Sequence, residues 1–155
     1  MTADRTSAST VVAASRATVM AVIADFPAYP EWAAAVRSAE ATEPAGPGTD
    51  SPDGRARRVR FVLDAGVIKD SYVLAYQWDD DTQVRWELAE AGSVISAMDG
   101  CYRLADAATG TGVTYELAVD VKIPMIGMLK RKAEKMIIDT ALKELKKRAE
   151  SMGSQ

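Results

Sequence analysis

Residues Asp25–Val36 read DFPAYPEWAAAV. Pro27 and Pro30 alternate here with Phe26, Tyr29 and Trp32. The run before it, Arg16–Ala24, places Val19, Val22, Ile23 and then Phe26 at helical spacing, with Ser15 positioned as an N-cap. Proline lacks an N–H and clashes with the preceding turn, so the helix must stop before Pro27. Pro30 is suited to a first helical position, and Glu31 beside it suits the positive end of a helix. The stretch therefore predicts two short helices joined by a stiff aromatic knuckle. Tyr29 and Trp32 on that knuckle fit two roles. They line the rim of an apolar pocket, wet on one side and dry on the other, or they pack the short helices onto a sheet.

Outward from the knuckle the period changes from helical to alternating. Thr10–Ala14 reads as a strand before it and Val36–Thr42 as a strand after it. Glu43–Gly54 holds three prolines and three glycines and reads as a loop. Period-two rows follow: Val59, Phe61, Leu63; then Asp70, Tyr72, Leu74, Tyr76, Trp78; then Val84, Trp86, Leu88. Val94–Leu104 puts Ser96, Met98, Gly100 and Tyr102 on one face, and Val113–Val121 ends the series with Tyr115 in its apolar row. The turns between rows are short, which implies an antiparallel meander.

From Met125 to about Glu150 the apolar residues recur every three or four positions, through Ile126, Leu129, Ala133, Ile137, Ala141, Leu145 and Ala149. Met136, Ile138 and Leu142 widen the stripe. One long amphipathic helix is expected, of about 35–40 Å. A sheet with one apolar face must be covered, and this helix is the only element large enough. The predicted fold is α+β: a curved antiparallel sheet of about seven strands around a long C-terminal helix, with two short helices after the first strand. Residues 1–155 are expected to form a single domain.

Composition excludes several chemistries. The chain has 155 residues and no histidine, so Ser-His and Cys-His nucleophiles are ruled out. One cysteine and no imidazole leave no ordinary transition-metal ligand set, and neither metal nor cofactor is expected. Cys101 has no intramolecular partner, consistent with a reducing cytoplasm. No apolar run is long enough to span a bilayer, and the first ten residues lack the apolar core of a secretory signal. A net charge of -3 gives no general attraction to nucleic acid. The charge is uneven: eight Lys/Arg against four Asp/Glu lie from Met125 onward. That basic face, with Lys143, Lys146 and Lys147, is a solvated helix surface or a docking face for an acidic protein or membrane. A homodimer is compatible with the sequence, though no feature demands one.

Val11–Ser15 leading into Val19 and Val22, then Asp25-Phe26-Pro27 and Tyr29-Pro30-Glu31-Trp32, resemble the START-like helix-grip superfamily. More narrowly they resemble its polyketide cyclase/dehydrase group. The rows around Tyr72, Trp86 and Tyr115 and the closing helix extend the resemblance over nearly the whole chain. It implies a deep cavity between sheet and C-terminal helix. It also implies a hydrophobic small molecule as partner, such as a lipid, an isoprenoid or a polyketide. It carries over no catalytic residue.

The residues themselves supply the candidates. Phe61, Tyr72, Trp86, Met98, Tyr102 and Tyr115 sit on the rows assigned to the concave face, where cavity lining and packed core look alike in sequence. Asp70 is a carboxylate on an otherwise apolar row. It orients a ligand, serves as a base with raised pKa, or lies at a strand end and reaches water or an arginine. Ser96 is a second polar candidate. Met125, Met128 and Met136 suit a pocket of adaptable shape, or ordinary core. A non-catalytic carrier or sensor is the leading reading. A polyketide cyclase using Asp70, Tyr72 or Tyr102 for proton transfer is the alternative, and an interaction module built on the basic helix is a third.

Overall fold

Turn chemistry and alternation produce seven strands and a closing helix, in a computed structural model that describes residues 6–43, 55–64, 69–122 and 127–153. Strand β1 (Thr6–Val12) leads into α1 (Arg16–Ala24), whose Ser15 Oγ accepts from Thr18 N at 3.1 Å. A single tight helical turn (Phe26–Ala28) and α2 (Tyr29–Trp32) form the knuckle. Strands β2 (Val36–Glu43), β3 (Arg58–Asp64), β4 (Lys69–Asp79), β5 (Gln83–Glu90), β6 (Ile95–Ala107) and β7 (Gly110–Val121) follow, then α3 (Gly127–Gly153). The sheet is antiparallel throughout, in the order β1-β7-β6-β5-β4-β3-β2. Successive strands pair as a meander, and β1 closes the sequence-distant edge beside β7. The sheet curves around α3, which is about 40 Å long.

Several strand boundaries differ from expectation. β1 begins at Thr6, not Thr10, because β7 pairs with it from Thr6↔Leu117 through Val12↔Thr111. The pairing extends over Thr-Ser-Ala-Ser, which lacks the apolar alternation of a core strand. β2 runs on to Glu43, the first residue of the predicted loop; residues 44–54 of that loop and the first residues of the predicted final helix, Met125 and Ile126, lie outside the described residues, as do the side chains of Met128 and Leu129.

The inner face carries a continuous path of aromatic rings. Phe26, 1% exposed, touches Tyr29, Phe61, Tyr76 and Trp78. The path runs on through Tyr76, Trp86, Tyr102 and Tyr115, with the last two rings 4.5 Å apart. Gly100 sits opposite Trp86 in the β5–β6 register, and a Cβ there would stand 2.7 Å from the indole. A bare backbone at this position is what lets the ring lie flat on the sheet.

α3 buries Ile138, Leu142, Leu145 and Ala149, as its period requires. It also buries Glu134, 2% exposed, which the apolar stripe did not suggest. Its Oε1 accepts from the Thr6 hydroxyl at 2.9 Å and its Oε2 from Val119 N at 2.8 Å. The described part of β1 ends at Thr6 opposite Leu117, so Glu134 takes up a β7 backbone donor where the described strand pairing stops. A part-buried donor that loses its carboxylate acceptor costs up to a few kcal/mol. Glu134→Ala is therefore expected to destabilise by about 3 kcal/mol, lowering the melting temperature by about 6–12 °C. Glu134→Gln, which keeps one acceptor, should lose less. A urea titration of both variants checks this; a change under about 0.5 kcal/mol in Glu134→Ala would show that water replaces the carboxylate.

The basic face of α3 is partly committed. Lys146 Nζ donates to Val11 O at 2.7 Å and to Glu150 Oε2 at 2.6 Å, and Glu150 accepts from Ala13 N at 2.9 Å. Lys146 thus pins α3 to β1 rather than standing free for a partner, while Lys143 and Lys147 remain exposed. Among the described residues no helix is long and apolar enough to cross a membrane.

Candidate functional site

Between the concave face, the knuckle and α3 lies a cavity of about 330 Å³. Among the strands, α3 packs chiefly against β1 and β7, and residues of β2 to β7 line the space beyond that contact. Phe61, Tyr72, Trp86, Met98, Tyr102 and Tyr115 all line it, as do Tyr29 and Trp32 from the knuckle. Phe26 is buried packing, Tyr29 is held by donating its hydroxyl to Ile23 O at 2.5 Å, and Trp32 forms wall.

The cavity is apolar with polar tips. Tyr72, Tyr76, Tyr102 and Tyr115 line it, and none of their hydroxyls has a hydrogen-bond partner among the described residues. Burial pushes all four phenols up, well beyond the ordinary phenol range for Tyr76, Tyr102 and Tyr115. Neighbouring negative charge adds to the rise, Asp70 for Tyr72 and Glu144 for Tyr102. They therefore stay neutral near pH 7 and act as donors and acceptors, not as phenolate bases. The Nε1 of Trp32 is buried and also has no partner among the described residues.

Asp70 is in the inward row, as its phase implied, but its carboxylate does not line the cavity. Its Oδ1 accepts from Ser93 N at 2.7 Å, and its Oδ2 from Val94 N at 3.1 Å and Ile95 N at 2.7 Å. A Cβ on Gly92 would lie 2.3 Å from Oδ1, so the β5–β6 turn wraps tightly around the carboxylate. Burial works to raise its pKa, but the backbone N–H groups of Ile95, Ser93, Val94 and Ser71 outweigh it and the value is lowered. Asp70 thus lies near the start of β4, as one reading had it, with the backbone N–H groups of a turn as its partners, and its lowered pKa counts against a raised-pKa base there.

Ser96 is also displaced from the expected face. Ile95 pairs with Val121 and Ala97 with Asp120, so Ser96 is an extra, bulged residue. The bulge reverses the phase upstream of Met98: Ile95 points inward and Ser96 is exposed. Met136 lines the cavity mouth but is 64% exposed, beside Ile137 at 43%. The helix is rotated so that Ile138 and Leu142 face the core, which leaves these two at the rim rather than in the stripe. Met125 and the Met128 side chain lie outside the described residues.

Tyr76 and Glu144 are among the lining residues not singled out from sequence. Tyr76 belongs to the same period-two row as Tyr72, and that row was its signal. Glu144 had no signal, since it stands within Lys143–Lys147, a run that reads as solvated surface. It is half-buried, it lines the cavity, and its Oε2 accepts from Ala34 N at 3.2 Å. Among the described lining residues it is the only charged one.

Solved structures share this architecture. A START superfamily protein from Mycobacterium smegmatis superposes with a TM-score of 0.84 at 21% identity, covering 96% of this chain and 98% of its own. A Thermus thermophilus protein gives 0.75 at 22% identity, covering 96% and 99%. The Zhui aromatase/cyclase from a Streptomyces species gives 0.71 at 15%, covering 95% and 93%. No curated protein matches the chain by sequence. A family model described as polyketide cyclase / dehydrase and lipid transport matches residues 3–150, and the chain belongs to that family.

Proposed function

We propose that this protein binds one hydrophobic small molecule in the cavity under α3 and acts as its carrier or sensor. The observation that carries the reading is the cavity itself: an aromatic wall around about 330 Å³, with phenol hydroxyls that have no partner among the described residues. That volume is at the lower end of small-molecule sites, about 300–1,000 Å³, and suits a single compact ligand. Burying its apolar surface would supply affinity at roughly 25 cal/mol per Å². The unpartnered hydroxyls would orient it. An isoprenoid, a single-chain lipid or a polyketide meets these terms, and the reading requires no metal or cofactor.

A cyclase reading has one specific observation behind it: Glu144 and Tyr102 line the same cavity, where the Glu144 charge adds to the rise of the Tyr102 phenol, in a fold shared with an aromatase/cyclase. The neutral tyrosines and the occupied Asp70 leave Glu144 as the one carboxylate among the described lining residues available as a base. Binding without turnover asks less of the same groups, and we favour it.

The test is native mass spectrometry of the protein purified from its own host, followed by extraction of any bound fraction. A co-purifying apolar compound supports the carrier reading and supplies the substrate to assay for turnover. An empty protein that also fails to bind a panel of fatty acids, quinones and aromatic polyketides would overturn it.

A further inference from the structure

We propose that Glu144 is the polar anchor of the cavity and that the ligand carries a hydrogen-bond donor, a hydroxyl or an ammonium, on an apolar body. The inference rests on the cavity being a ligand site and deepens that reading. Three observations carry it. Glu144 is the only charged side chain among the described lining residues, set against a wall of aromatic and aliphatic groups. One of its oxygens is engaged, Oε2 accepting from Ala34 N at 3.2 Å, and Oε1 has no protein partner among the described residues. The Ala34 bond tethers the carboxylate where the chain leaves the knuckle.

A carboxylate only accepts hydrogen bonds, so its unused oxygen selects for a donor. The bond is charge-assisted and is stronger in a partly desolvated site than in water. A ligand that ends in an ether, ester or ketone oxygen at this point would set acceptor against acceptor and leave the carboxylate desolvated and unpaired. The tyrosine hydroxyls do not share this selectivity, because a neutral phenol either donates or accepts. Chemical discrimination at the polar end of the ligand therefore falls to Glu144.

The probes are naphthol, its methyl ether and naphthylmethylamine, which share one aromatic body and differ in the polar end. Dissociation constants are measured by quenching of tryptophan fluorescence, since Trp32 and Trp86 both form wall. In the wild type, naphthol or the amine should bind about tenfold tighter than the ether. The tighter of the two identifies a hydroxyl or an ammonium as the donor. In Glu144→Gln the amide oxygen can keep the Ala34 bond, which turns the amide nitrogen, a donor, toward the cavity. The preference for the donor-bearing probe should then fall to about onefold. Equal wild-type affinity for all three probes, or a preference unchanged in Glu144→Gln, overturns the anchor while leaving the cavity reading intact. Failure of all three to bind, where the panel of fatty acids, quinones and aromatic polyketides does bind, overturns the anchor alone; failure of the probes and the panel together overturns both.

Discussion

Asp70→Ala should destabilise the protein by about 3–4 kcal/mol and leave ligand preference unchanged. Three backbone N–H groups of the β5–β6 turn lose an ionised acceptor at once, and the turn has little room to rearrange around Gly92. Two of these donors, Ser93 and Val94, are only partly buried, so water recovers some of the loss, and the cost stays below the sum of three charged hydrogen bonds. Asp70→Asn should fall between, because an amide keeps one acceptor and turns a donor toward another donor. A melting temperature about 10 °C lower for Asp70→Ala is the expected readout. A variant that melts like wild type but changes its choice of ligand would return Asp70 to the cavity.

The same carboxylate makes stability depend on acid. Its folded pKa is lowered by the turn's N–H groups, whereas the unfolded chain has an ordinary aspartate near about 3.9. The unfolded state therefore takes up the proton first. The stabilisation is present in full above about pH 4 and is lost as pH falls through the lower, folded value. Urea midpoints measured on acidification through that window should drop less steeply in Asp70→Ala than in wild type. Parallel slopes would mean that other carboxylates carry the acid transition.

Ala141→Trp should abolish binding of naphthol, by about a hundredfold or more, with a change in stability of less than about 1.5 kcal/mol. Ala141 is on the cavity side of α3 and packs at the edge of the core. An indole there projects into space that is unfilled, so it meets little of the overpacking strain of a closed core. It also occupies the volume the ligand needs. A fully retained affinity, measured by fluorescence or calorimetry, would place the ligand outside the cavity. A large loss of stability would mean that the space is already filled in solution.

The sequence by itself determined the elements and their faces. Alternation named Phe61, Tyr72, Trp86, Tyr102 and Tyr115 as inward, and they are, because one buried face of a sheet imposes a period of two. The prolines around Phe26 required a break between short helices, because a missing N–H and a fixed φ act locally. Those effects depend on neighbours in the chain.

The tertiary structure alone decided what depends on neighbours in space. Ser96 and Ile95 exchanged faces because of a bulge set by pairing with Val121 and Asp120, a register that only β7 supplies. Asp70 became the staple of a turn more than twenty residues away, and Glu134 the acceptor for two other strands. Met136 and Ile137 reached the rim because the whole helix is rotated toward Ile138 and Leu142. Glu144, one acidic residue in a lysine-rich run, became the charged group of the cavity by facing a loop more than a hundred residues earlier. Whether the middle of the sheet is filled or hollow follows from the same cause. Periodicity tells which side of a strand is dry, but only the separation of sheet and helix tells how much space lies between them.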